Sequence, residues 1–161
     1  MRSIATAALA ASAIFVGCAS RGSVESTAQG GRAENCKVST EHEITSLFDR
    51  WNQSLQTGDQ RAVVANYAER SLLLPTLSNK PRLTAAEKED YFHHFLENRP
   101  AGRIDMRFVE VGCNTATDSG LYTFTFAKTG ASVSARYTFT YRWDGSRWLI
   151  TSHHSSGMPE K

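Results

Sequence analysis

Large apolar residues change their spacing along this chain. Ile44, Leu47, Phe48, Trp51 and Leu55 recur every three or four residues, the period of one helix face. Thr40 and Glu43 have capping-box spacing at its start, and Gly58 ends it. Asp59 is placed to cap a second helix with Ala62, Val63 and Tyr67 on its apolar face. Ser71-Leu72-Leu73-Leu74-Pro75-Thr76 then reads as a strand stopped by proline. A second capping box, Thr84 and Glu87, opens a third helix that buries Tyr91, Phe92, Phe95 and Leu96 and stops before Pro100.

From Arg103 the period falls to two. Ile104, Met106 and Phe108 alternate, then Val109 and Val111 take the opposite parity, a phase shift that predicts a bulge. Leu121 to Ala127 and Ser132 to Trp143 read as strands around a Lys128-Thr129-Gly130 turn, and Asp144-Gly145 turns into a last strand from Arg147 to about Ser155. The fold class is therefore α+β, three N-terminal helices packed on a strongly curved, mostly antiparallel sheet. A tight turn at Asp144-Gly145 sets Tyr141 against Trp148, Phe139 against Ile150 and Tyr137 against Ser152 on one face. Arg136, Thr138 and Thr140 then share the other face with Leu149, Thr151 and His153. The wide aromatic face exceeds what the helices can cover, which predicts at least a dimer.

Of 161 residues, 21% are charged and the net charge is only +2, without a Lys/Arg run, so the electrostatic footprint of a nucleic-acid binder is missing. Residues 1–18 read as a signal peptide, since the apolar stretch Ile4 to Val16 is too short to span a bilayer. Its end, Phe15-Val16-Gly17-Cys18, resembles a bacterial lipoprotein cleavage box with Cys18 as the lipidated residue; ordinary cleavage after Ala19 or Ser20 is the alternative. Residues 19–38 read as a flexible tether poor in large aliphatics, and residues 39–161 as the domain. The protein is expected to be exported, periplasmic or anchored to the outer membrane by lipid alone. Cys36 and Cys113 are the disulfide candidates of that compartment; the alternatives are inert thiols and a metal site, which needs more ligands than this pair offers.

Three stretches carry a family resemblance: Tyr91-Phe92-His93-His94-Phe95-Leu96-Glu97-Asn98, Asp144-Gly145-x-x-Trp148, and His153-His154-Ser155-Ser156-Gly157-Met158-Pro159. From about Glu41 to Glu160 the chain resembles the association domain of calcium/calmodulin-dependent protein kinase II, particularly its stand-alone bacterial relatives. The resemblance implies the NTF2-like cone shared with SnoaL-like proteins, in which a long helix and a bent sheet enclose a cavity, and it implies assembly into homodimers or larger homo-oligomers. It also implies a pocket for small carboxylates, built in the kinase domain from arginines on the sheet and a histidine on the third helix. Arg136 matches one of those arginines, Thr123 and Ser155 stand where others are expected, and Phe92 replaces the histidine. Kinase signatures and a basic amphipathic helix are missing, so a kinase or calmodulin partner is unsupported by this chain.

The resulting ligand site comprises Arg136 as anchor, Thr138 and His153 beside it, Thr123 and Ser155, with Trp51, Tyr67 and Tyr91 as aromatic lining. The His93-His94 and His153-His154 pairs do not chelate a metal by themselves, because neighbours point about 100° apart on a helix and to opposite faces on a strand. Neither a dinucleotide fingerprint nor a nucleophile elbow occurs, so no cofactor and no catalytic residue is assigned. Two function classes follow: an oligomeric module for binding or assembly, and a small-molecule enzyme of the SnoaL-like kind, an isomerase, hydrolase, dehydratase or oxidoreductase.

Overall fold

The computed structural model describes residues 36–160. The expectations for a signal peptide and for lipidation at Cys18 lie outside the described residues. Thr40 caps α1 (Glu41–Leu55), its side chain accepting from Glu43 N, and acidic Glu41 and Glu43 sit in the first turn, where the helix dipole favours them. The five apolar residues at helical spacing are all buried. Thr84 and Glu87 form the reciprocal capping box that opens α3 (Ala85–Leu96).

The strands are β1 (Tyr67–Leu74), β2 (Pro100–Val111), β3 (Thr115–Phe126), β4 (Ser132–Trp143) and β5 (Trp148–Gly157). They form one sheet in the order β1-β5-β4-β3-β2, antiparallel except for the β1–β5 pair. The helices pack on its curved inner face around Trp51, Phe92, Phe139, Tyr141 and Trp148, as the α+β reading requires. Two contacts seat α1. The Asn52 amide bonds both the N–H and the carbonyl of Gly102 on β2. Arg50 donates to the Trp148 carbonyl on β5 at 2.7 Å and to Asn66 at 3.0 Å. A Cβ at Gly102 would lie 3.1 Å from the rings of Phe48 and Phe124, so glycine lets helix and strand approach there.

Four local expectations are corrected. The second helix, α2, covers only Gln60–Val64, and Tyr67 belongs to β1, which begins earlier than the leucine run. On α3, Phe92 and Leu96 are buried, whereas Tyr91 and Phe95 are half-buried, because that edge of the helix borders a cavity. The β2 bulge lies between Ile104 and Met106, ahead of the predicted place, so Met106 (52% exposed) and Phe108 (60% exposed) point outward and Arg107 turns inward. Finally, Tyr141 pairs with Ile150, and a shift between Thr140 and Tyr141 sets Phe139 opposite His153 and Tyr137 opposite Ser155. Asp144 N donates to Arg147 O, so the turn between β4 and β5 is centred on Gly145 and Ser146, one residue later than Asp144-Gly145, and the register moves accordingly.

Cys36 and Cys113 are joined by a disulfide, with Cα atoms 4.8 Å apart. It ties the residues before α1 to the β2–β3 hairpin, where Lys37 N also donates to Asn114 Oδ1.

Candidate functional site

A cavity of about 200 Å³ opens between α3, the segment after β1 and the inner face of β3, β4 and β5. Its lining is mainly aromatic: Trp51 from α1, Tyr91, Phe92 and Phe95 from α3, and Tyr122, Phe124 and Phe126 at alternate positions of β3. Most of these ring pairs meet edge to face, whereas Tyr91 stacks on Phe95 and Phe124 on Phe126. Phe95 and Phe124 centroids lie 5.5 Å apart, and those of Trp51 and Phe92 6.3 Å.

Polar groups gather on β5 and the segment after β1. His153 is 4% exposed, stacked on Phe139 at 4.0 Å, and its Nδ1 is 2.8 Å from the Tyr67 hydroxyl. Burial, with a smaller contribution from His154, pushes its pKa down to about 3, so the ring is neutral. Burial drives the Tyr67 pKa well up, so the phenol keeps its hydrogen. Nδ1 is the acceptor found for that hydrogen among the described residues, which puts the ring proton on Nε2. Nε2 is buried without a partner. Two positions along, Ser155 accepts from Tyr122 and shares a short hydrogen bond with Thr76.

The structure divides the site read from the sequence. Trp51, Tyr91, His153 and Ser155 line the cavity, and Tyr67 lies behind His153. Arg136, Thr138 and Thr123 do not line it. Ala135 and Tyr137 point inward, so strand alternation turns Arg136 outward, where it is exposed and donates to Ser156 Oγ at 3.1 Å. Thr123 bonds Asp105 and Ser134 on the same outer surface. The anchoring role of Arg136 is therefore corrected, and with it the grouping of His153 beside Arg136 and Thr138. Among the described residues lining the cavity there is no arginine, lysine or carboxylate.

Sequence reasoning missed Tyr122 and Thr76. Tyr122, Phe124 and Phe126 form an alternating aromatic row that could have revealed an inner face; Thr76, beyond the proline that ends β1, carries no such signal. A second polar cluster was also missed. Arg107 Nε lies 3.2 Å from Asp118 Oδ1, the oxygen to which Tyr137 donates at 2.7 Å, and Asp118 is fully buried. Burial pushes the Asp118 pKa up, against the opposing pull of Tyr137 and Arg107. On the exposed end of α3, His93, His94 and Glu97 bring ligand atoms within 4.8 Å of one another, and His94 Nδ1 pairs loosely with Glu97 at 3.5 Å. Glu97 is thus a third neighbour that the histidine pair alone did not suggest.

Residues 40–159 match the family described as the calcium/calmodulin dependent protein kinase II association domain. The chain belongs to that family. An association-domain protein of Xanthomonas campestris is 41% identical over 80% of this chain and 98% of its own, with a TM-score of 0.72. An NTF2-like protein with a cystatin-like fold from Novosphingobium aromaticivorans shares the architecture at 16% identity, over 74% of this chain and 82% of its own, with a TM-score of 0.63. A cyanobacterial iota-carbonic anhydrase, solved with bicarbonate, does so at 20% identity, over 76% of this chain and 94% of its own, with a TM-score of 0.62. The last two likenesses show the fold alone. No curated protein matches the sequence. This association domain thus has the NTF2-like architecture that the sequence resemblance implied, with a polar end to its cavity made of hydroxyls and a neutral imidazole.

Proposed function

We propose that this association domain is an exported, oligomeric module that binds a small molecule in its aromatic cavity. The observation that carries the reading is the cavity itself: walls of Trp51, Phe92, Phe95 and Phe124 with a few convergent polar groups at one end, the usual composition of a small-molecule site. Binding is preferred to catalysis because His153, the imidazole in the lining, is held neutral and its lone pair is engaged by Tyr67. The small carboxylate implied by the family resemblance loses its anchor once Arg136 stands outside.

Oligomerisation is supported by the family and by the exposed Met106 and Phe108 on the edge strand β2. The aromatic face of β4 and β5 does not supply the interface, since Tyr137, Phe139, Tyr141, Trp148 and Ile150 are buried in the chain's own core. Export is supported by the Cys36–Cys113 disulfide, a bond typical of oxidising compartments, together with the signal-like residues 1–18. Among the described residues no helix is long and apolar enough to cross a membrane. Attachment through lipid at Cys18 rests on the cleavage-box resemblance of Phe15-Val16-Gly17-Cys18.

Native mass spectrometry of the purified protein tests both halves of the reading. A multiple of the chain mass with an additional small mass that leaves on collisional activation is expected. A bare monomer at tens of micromolar would overturn the assembly half.

A further inference from the structure

We propose that the cavity selects an uncharged molecule the size of one aromatic ring, bearing a hydrogen-bond acceptor such as a ketone, ester or amide carbonyl at the end that meets Ser155 and Thr76. The inference rests on the cavity being a binding site, and it is carried by a count of hydrogens.

Tyr122, Ser155 and Thr76 each bring one hydroxyl hydrogen, and the three groups share two hydrogen bonds. Tyr122 donates to Ser155 Oγ at 2.5 Å, and burial raises its pKa, so that hydrogen stays in place. Either Ser155 or Thr76 donates in the second bond. Whichever does, the other keeps a hydrogen with no acceptor among the described residues, and both side chains line the cavity. Ser155 is 7% exposed, so a hydrogen left on it is largely desolvated and a ligand acceptor recovers that cost, whereas on the half-buried Thr76 a ligand acceptor would take the place of water. His153 offers no competing lone pair, because Tyr67 occupies Nδ1. Of the lining residues, the half-buried Tyr91 and Asn98 carry side-chain acceptors outside this hydroxyl chain, and among the described residues no hydrogen bond joins either of them to it.

Charge and size narrow the ligand further. A carboxylate would surrender its water without a cationic partner, since no lysine or arginine is among the described lining residues. An apolar cavity of about 150 Å³ holds benzene, and this one is about 200 Å³.

The test uses acetophenone, ethylbenzene and benzoate, which share a ring and differ in the end group, titrated calorimetrically into the wild type, Thr76→Val and the triple variant Thr76→Val/Tyr122→Phe/Ser155→Ala. Acetophenone is expected to bind the wild type more tightly than benzoate. Thr76→Val alone leaves the Ser155 hydrogen unpaired and should keep acetophenone within about 2-fold. The triple variant removes all three hydroxyl hydrogens and should weaken acetophenone by roughly 3- to 10-fold, the worth of one hydrogen bond, and leave ethylbenzene within about 2-fold. The wild-type order of acetophenone and benzoate keeps the test decisive if the triple variant folds poorly. If ethylbenzene binds but the triple variant does not separate it from acetophenone, or if benzoate binds tightest, the acceptor proposal is overturned while the cavity reading stands. If none of the three binds, both fall.

Discussion

Tyr67 and His153 meet in the core at 2.8 Å, the hydroxyl of one against Nδ1 of the other, and so link β1 to β5 across the parallel edge of the sheet. Removing the hydroxyl leaves a buried ring nitrogen unsatisfied. Tyr67→Phe should therefore destabilise the fold by about 1–3 kcal/mol in urea unfolding. It should also change the His153 nitrogen shifts in a 15N spectrum. Unchanged shifts would mean that the tautomer is set elsewhere.

His153 also predicts a pH dependence. Its folded pKa is depressed to about 3, against about 6.5 for a free imidazole, so between those values the unfolded chain binds a proton that the folded chain refuses. Stability should be complete above about pH 6.5 and fall by about 1.4 kcal/mol per pH unit as the medium is acidified. Glu87, held down at about 2 by the backbone N–H groups of Leu83 and Thr84, acts in the same direction only below about pH 4.5. The comparison of wild type with His153→Gln between about pH 6.5 and about pH 4.5 isolates the imidazole. Parallel curves would exclude it as the source.

Asp118 is fully buried and receives both Arg107 and Tyr137. Asp118→Asn leaves the guanidinium without its counter-charge and should cost about 3–5 kcal/mol, whereas Arg107→Met with Asp118→Leu should recover much of that loss. Chemical denaturation of the single and double variants measures the difference.

The disulfide closes a loop with a sequence separation of 77, for which the chain-entropy relation gives up to about 4.5 kcal/mol. Cys36→Ser/Cys113→Ser should lower stability by up to that amount without altering the cavity. Thermal unfolding compared with reduced wild type would detect it; identical melting of oxidised and reduced protein would contradict it.

Outward-facing Met106 and Phe108 supply the assembly test. Phe108→Glu should shift light scattering toward the monomer while leaving the fold intact, because the side chain is mainly exposed. An unchanged mass would move the interface elsewhere.

Helices and caps were legible because apolar spacing at Ile44 to Leu55 and the Thr84–Glu87 pair are local signals. Strand parity was harder to read. Met106 and Phe108 alternate with Ile104 and look like core, yet the bulge after Ile104 reverses them, and Arg107 takes the inner side. The bulge is possible because Gly120 faces it: a Cβ there would sit 2.0 Å from the Met106 carbonyl oxygen. A glycine in a strand announces such a site without saying which way the partner strand shifts. The same holds for the register between β4 and β5, where one misplaced residue put His153 beside Arg136 and assigned the polar end of the cavity to the wrong surface. Aromatic lining survived this error because Trp51 and Tyr91 are placed by helices.

The bond between Cys36 and Cys113 also fixes a path for mechanical load. Tension applied to the chain upstream of residue 36 passes through sulfur into the β2–β3 hairpin, leaving the covalent stretch from Lys37 to Gly112 slack. A pull from that side therefore strains the sheet at one hairpin, and α1, whose Trp51 and the cavity depend on its seat at Gly102, is shielded from it. Reduction would reroute the same force straight into the first turn of the helix.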